Sequence, residues 1–227
     1  VLFAREGADV VVTARRAHDL ARLVEEIWGM GRGAAAVPGD ARNAATHLAA
    51  VEEAVSTFGG LHIAFNNVGT VGRLKPVAEL SPDEWSEVIS TNLDSAFLAT
   101  RAQIPAMLES GGGAIVYTSS FVGNSVGLPG MGAYAASKAG LIGLVRGVTA
   151  DYGARGIRAN ALLPGGTATA MAGDQTQREW ASSLHAMKRI ADPDEIAQAA
   201  LFLASDRASF VSGSSLWVDG GNAAVKM

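Results

Sequence analysis

A chain of 227 residues, 48% hydrophobic, with 27 glycines and 18% charged residues, can bury a sizeable core between many tight turns, which excludes a disordered polypeptide. The formal charge of −4 supplies no global basic field for nucleic acid, and the lack of cysteine excludes disulfides, thiolate metal sites and cysteine nucleophiles. His18, His47, His62 and His185 are scattered without ligand spacing, so no metal site is expected, and no long apolar run or signal pattern points to a membrane, so a cytoplasmic protein is expected.

Along the chain, "VLFAREGADVVVTARR" reads as the end of a helix, a glycine turn at Gly7 and a buried strand from about Ala8 to Thr13. A helix follows over about Ala17–Ile27, stopped by "GMGRG", then a short strand near 34–37 ending at "PGD". Another helix is predicted over about 43–58, before the apolar strand "LHIAFNN". In "SPDEWSEVISTNLDSAFLATRAQIPAML", Ser81 is the N-cap, Pro82 the first helical residue and Glu84 the capping-box partner, and the helix is expected to run on to about Leu108. "GGGAIVYTSS" turns into a strand ending at Ser119 and Ser120, followed by a glycine-rich loop over 121–132. A long helix from near Tyr134 to Tyr152, the strand and turn "IRANALLPGG", a capped helix "DPDEIAQAALFLAS" and a last strand "SSLWVDGG" complete the pattern. Residues 166–190 are the least regular segment and are read as a mobile lid.

Continuous apolar strands alternating with helices are the sequence form of a parallel sheet covered on both faces, so one doubly wound α/β domain over 1–227 is predicted. Ligands of such sheets sit outside the carboxyl ends of the strands. Asn66, Asn67, Ser120 and the turn carrying Pro164, Gly165, Thr167 and Thr169 all fall at such ends, which points to one crevice. Tyr134 precedes Lys138 by four residues, so on a helix both point the same way and can meet beside one ligand. The same spacing also describes an ordinary amphipathic surface pair.

In their order and spacing, "FNNVG", "NLDSAF", "YTSS", "YAASK", "IRANALLPGG" and "SGSSLWVDGG" resemble the motifs of the short-chain dehydrogenase/reductase family over almost the whole chain. The resemblance implies a Rossmann-like domain and reversible hydride transfer between a nicotinamide cofactor and an alcohol or carbonyl compound. Carried over by motif, Asn92, Ser120, Tyr134 and Lys138 are the catalytic residues: Tyr134 is the acid or base, Lys138 makes its proton mobile and holds the nicotinamide ribose, Ser120 aligns the substrate oxygen and Asn92 positions Lys138 through a water. Asp40 resembles the residue that contacts the adenine amino group, Asn66 and Gly69 border the cofactor path, and Pro164, Gly165, Thr167 and Thr169 belong to the turn that passes the nicotinamide. Where NAD-selective relatives place an acid, this sequence has Ala14 followed by Arg15 and Arg16, which favours NADP over NAD.

Val122, Leu128, Met131, Met171, Trp180 and Met187 are the apolar candidates for a substrate wall, implying a neutral or partly apolar alcohol or ketone. Relatives associate as homodimers or homotetramers, so self-association is expected here, without nucleic acid or membrane partners. Relatives also begin with a strand and a Gly-x-x-x-Gly-x-Gly turn that cradle the cofactor diphosphate. This sequence starts inside the helix that follows, so it is expected to lack the first, central strand and to be an incomplete version of the active protein. A variant that closes its sheet another way is the other reading, and an impaired dinucleotide-binding relative, acting as an oligomeric binding protein, is the alternative function.

Overall fold

Strands whose side chains are apolar on both faces need a helical layer on each, and β4 (Gly113–Thr118) and β5 (Ile157–Pro164) meet this condition residue by residue. Ile115, Tyr117, Ala159, Ala161 and Leu163 point to one side, against Leu141, Val145 and Val148 of α6 (Gly132–Tyr152) and Ile104 and Met107 of α5 (Ser95–Glu109). Val116 and Leu162, between them in sequence, point to the other side, against Ala200, Leu203 and Ala204 of α8 (Pro193–Ala204). The computed structural model describes residues 1–225, so the last two residues of the predicted 1–227 domain lie outside the described residues.

All strand pairs are parallel. β3 (Ile63–Asn66), β4, β5 and β6 (Ser215–Val218) form one sheet in that order, and β1 (Val10–Ala14) pairs with β2 (Ala34–Pro38) in a second. Among the described residues β1 and β3 each pair on one side only, and Ile63 and Phe65 of β3 are exposed. The two sheets share helical cover, since α3 (Ala44–Phe58) packs on β1, β2 and α5. The short α1 (Leu2–Arg5) packs on α8 and sets the Phe3 ring edge-on to Phe65. α2 (Ala17–Trp28) covers β2 through Leu20, Val24 and Ile27, all buried.

The helix expected from Ser81 to about Leu108 is helical throughout from Pro82 to Glu109, with one irregularity: α4 (Pro82–Ile89), with the expected Ser81–Glu84 capping box, passes through a π-helical turn over Ser90–Asp94 into α5. That turn contains Asn92, whose amide is buried and bonded outside its own helix, and wide turns of this kind let a functional side chain leave the regular spacing. The irregular segment 166–190 contains α7 (Gln175–Ser183), capped by an Asp174–Gln177 box. Its nine residues include one large apolar side chain, Trp180, so no apolar stripe marks it in the sequence. Among the described residues no helix is long and apolar enough to cross a membrane.

Arg158 reaches from β5 to cap the far end of α8, its Nη1 donating to the Leu203 carbonyl at 2.8 Å and its Nη2 to the Ser205 carbonyl at 3.0 Å. Helix-terminal carbonyls without partners are costly to bury. Arg158→Met is expected to lower unfolding stability by about 1–3 kcal/mol, measured by urea denaturation, with the slope unchanged.

Candidate active site

β4 runs directly into Ser119 and Ser120, and α6 starts after the loop that follows them, with the strand end and the first turns of α6 held against each other. Two reciprocal bonds fix that contact. The Lys138 Nζ donates to the Thr118 carbonyl at 2.6 Å, and the Ser119 hydroxyl donates to the Lys138 carbonyl at 2.7 Å. Asn124 ties in the loop, its amide donating to the Ser119 hydroxyl and the Ser120 carbonyl. Tyr134 lies one turn before Lys138, whose Nζ is 5.8 Å from the ring centroid, and the Ser120 hydroxyl acts on the Tyr134 phenol, favouring its ionised form. Tyr134, Lys138, Ser120 and Asn92 are all buried, so the sequence-predicted catalytic residues Ser120, Tyr134 and Lys138 come together and the surface-pair alternative for Tyr134 and Lys138 does not hold.

Asn92 is linked to them through Ser137. Its Oδ1 accepts the Thr70 amide at 2.8 Å, and its Nδ2 donates to the Thr70 carbonyl at 2.9 Å and to the Ser137 hydroxyl at 2.9 Å. Ser137 in turn donates to the Tyr134 carbonyl. The loop after β3 is thereby drawn against α6, and a Cβ on Gly69 would come within 3.2 Å of the Lys138 Nζ, so glycine leaves that approach open.

Burial dominates the electrostatics. It raises the Tyr134 phenol above its usual range, with the Ser120 hydrogen bond opposing in part, and it draws the Lys138 ammonium down to about 8. A downward pull of Lys138 on the phenol, expected from the sequence, is not among the causes of that shift, which desolvation leads.

The outer residues divide. Asp40, at the end of β2, accepts a bidentate pair from Arg42 that holds its carboxyl down to about 2. Asn66 exchanges amide hydrogen bonds with Gln103 of α5, while its backbone is in register with Tyr117 of β4. Arg16 is committed to Asp19, whereas Arg15 is exposed at the end of β1 and has no hydrogen-bond partner among the described residues. At the end of β5 the Gly165 amide donates to the Val218 carbonyl and the Thr167 hydroxyl to the Gly165 carbonyl, while Thr169 is exposed. Val122, Leu128 and Met131 cluster with Phe121, Leu184 and Tyr134 itself. Met171, Trp180 and Met187 stand apart from that cluster, exposed at 57%, 52% and 59%.

Sequence reasoning missed the bonding partners of the motif residues. Ser137 and Ser119 sit beside motif positions and carried a weak signal; Thr70 and Gln103 carried none, because their partners are 22 and 37 residues away.

The shift of Lys138 from 10.5 to about 8 makes its charged form a burden on the fold of the order of 3 kcal/mol at neutral pH, before its hydrogen bond is counted. The unfolded chain holds that proton more tightly, so the burden is full below about pH 8 and fades as the pH rises toward 10.5. Lys138→Met is expected to raise the melting temperature at pH 7 while abolishing turnover, and the gain should shrink between pH 8 and 10 by calorimetry.

The family model described as Enoyl-(Acyl carrier protein) reductase matches residues 1–223. Cyclohexanol dehydrogenase of Acinetobacter sp. (strain SE19) is 40% identical over 220 residues, which covers 97% of this chain and 87% of that protein. The structure of carveol dehydrogenase from Mycobacterium avium in complex with NAD superposes with a TM-score of 0.92 at 28% identity, covering 97% of this chain and 90% of that one. That of a gluconate 5-dehydrogenase from Burkholderia cenocepacia J2315 in complex with NADP and tartrate gives 0.90 at 31% identity, covering 98% and 88%. With its parallel strand ends and its Ser120, Tyr134 and Lys138 cluster, the chain belongs to the short-chain dehydrogenase/reductase family.

Proposed function

We propose that the chain works as one oxidoreductase unit that transfers hydride reversibly between a nicotinamide dinucleotide, NADP(H) ahead of NAD(H), and a small alcohol or carbonyl compound, with Tyr134 as general acid and base. The observation that carries this reading is the buried Lys138 ammonium 5.8 Å from the Tyr134 ring, with Ser120 buried beside them at the end of β4. The residues fit such a cofactor: Gly69 keeps backbone close to Lys138, the buried Thr118 hydroxyl has no partner, and the Gly165–Thr169 turn lies at the end of a neighbouring strand. When bound, a nicotinamide supplies hydride to a carbonyl carbon or accepts it from a carbinol carbon.

In oxidation Tyr134 takes the alcohol proton and in reduction it returns it. Ser120 shares its hydroxyl between the phenol and the substrate oxygen, fixing the distance over which that proton moves. Lys138 would turn from the Thr118 carbonyl toward ribose hydroxyls, and its charge then favours the phenolate that burial alone disfavours. Val122, Leu128 and Met131 supply an apolar wall next to Tyr134, which suits a neutral substrate. Self-association is part of the proposal, supported by exposed Trp85 and Phe97 on α4 and α5.

A binding role without turnover is the second reading, favoured by the burial that makes the Tyr134 proton harder to remove than in water. Tyr134→Phe separates the two: turnover of alcohols or carbonyl compounds should fall by about a thousandfold, with dinucleotide affinity nearly unchanged in a fluorescence titration. Unimpaired turnover in that variant sinks the mechanism, and a wild-type chain that binds dinucleotide yet turns over nothing supports the second reading.

Support for NADP(H) comes from the division of the two arginines, since Arg15 is exposed and unpaired while Arg16 is held by Asp19. Arg15→Ala should weaken NADP(H) binding about tenfold and NAD(H) binding little, read by parallel titrations with the two cofactors. Equal losses for both would assign Arg15 a structural part instead.

A further inference from the structure

His185 lies outside every motif, yet it is 2% exposed and touches the loops at the ends of three strands. Beyond β4 its ring meets Phe121 edge-on, with centroids 5.8 Å apart. Beyond β5 its Nε2 accepts the Gly166 amide at 2.9 Å, and a Cβ on Gly165 would come within 2.8 Å of its Cε1. Beyond β6 its Cβ would lie 3.3 Å from a Cβ on Gly220. Because Nε2 is the acceptor, the proton of the neutral ring is on Nδ1, and that atom is buried without a partner. A histidine placed only for packing would be replaceable by a hydrocarbon ring at no such cost.

The backbone around it is tied down in the same place. The Ala168 amide donates to the Ala191 carbonyl, the Ala191 amide to the Gly166 carbonyl and the Met187 amide to the Gly220 carbonyl. The two ends of the excursion that carries α7 are thus clasped at the Gly165–Thr169 turn, and His185 supplies a side-chain acceptor in the clasp.

We propose that His185 is a positioning residue, whose neutral imidazole accepts the Gly166 amide and holds the Gly165–Thr169 turn in the shape that receives the dinucleotide, and whose protonation releases that turn. The proposal rests on the cofactor reading above. A second proton on Nε2 would set a donor against the Gly166 N–H, so the contact turns from attraction to repulsion. The charged groups around the ring are few. Asp219 acts on it from the turn after β6, with its carboxylate already accepting the Gly221 and Ala223 amides, and Lys188 directs its ammonium to the Ser183 carbonyl. Burial makes the ring harder to protonate than usual, and Asp219 opposes this in part. The unfolded chain therefore takes up the proton first, and the support from the neutral ring, full above the usual histidine range, is lost as pH falls through and below it.

The test compares the wild type with His185→Gln, which keeps an acceptor and cannot titrate, and with His185→Phe, which fills the space without an acceptor. Dissociation constants for NADPH and NADH come from nicotinamide fluorescence between pH 5 and 8, and the Gly166 amide and the His185 ring are followed by NMR in the free protein. Affinity of the wild type should fall about tenfold toward pH 5, stay level in His185→Gln, and be weaker by a similar factor at every pH in His185→Phe. The Gly166 amide shift should follow the ring titration. An acid loss that persists in His185→Gln, wild-type affinity in His185→Phe, or a Gly166 amide indifferent to the ring overturns the proposal. A wild type that binds neither dinucleotide while Gly166 still follows His185 overturns the cofactor reading and leaves the contact itself supported.

Discussion

A buried ammonium bonded to a strand-end carbonyl is the constraint around which this molecule is arranged. Lys138 is costly to hold charged, and its hydrogen bond to Thr118 exists only because β4 ends where α6 begins its second turn. The serines at 119 and 137 and the amide of Asn92 hold that relation, so a helix, a strand and the loop after β3 share one small polar network in an apolar interior. The network is the reason the phenol of Tyr134 has a cation within reach. Without it the helix would still form, and its two polar side chains would have nothing to do together.

Parallel topology extends the same logic outward. Alternation on β4 and β5 gives one face to α5 and α6 and the other to α8, which leaves no room for chemistry on either face. Polar groups therefore collect at the carboxyl ends, where each strand hands over to a loop. Asn92 shows how local structure serves this: a π-helical turn departs from regular spacing and turns an amide that a straight helix would direct elsewhere toward Thr70 and Ser137.

Much of this was legible in the sequence. Continuous apolar runs between turn signals located β1 to β6, the Ser81 and Asp192 caps marked α4 and α8, and the Tyr134–Lys138 spacing pointed to the helix that carries the site. What stayed hidden depends on long-range partners. The π-helical turn at Ser90–Asp94 carries bonds to residues 22 and 45 positions away, and α7 has too few apolar residues to announce a periodicity. Arg15 and Arg16 read alike until Asp19 takes one of them, and Met131 and Trp180 both read as wall residues until packing puts only the first beside Tyr134. His185 looked like one of four scattered histidines because nothing in a linear pattern reports which backbone amide a ring will face.

The excursion between Thr167 and Ala191 has fixed footings and an exposed span, with Met171 and Trp180 on the outside. An arch of that kind is modular. Substitutions along the span change its reach and surface while the springing points and the sheet beneath stay as they are, so the scaffold tolerates new outer surfaces without being folded anew.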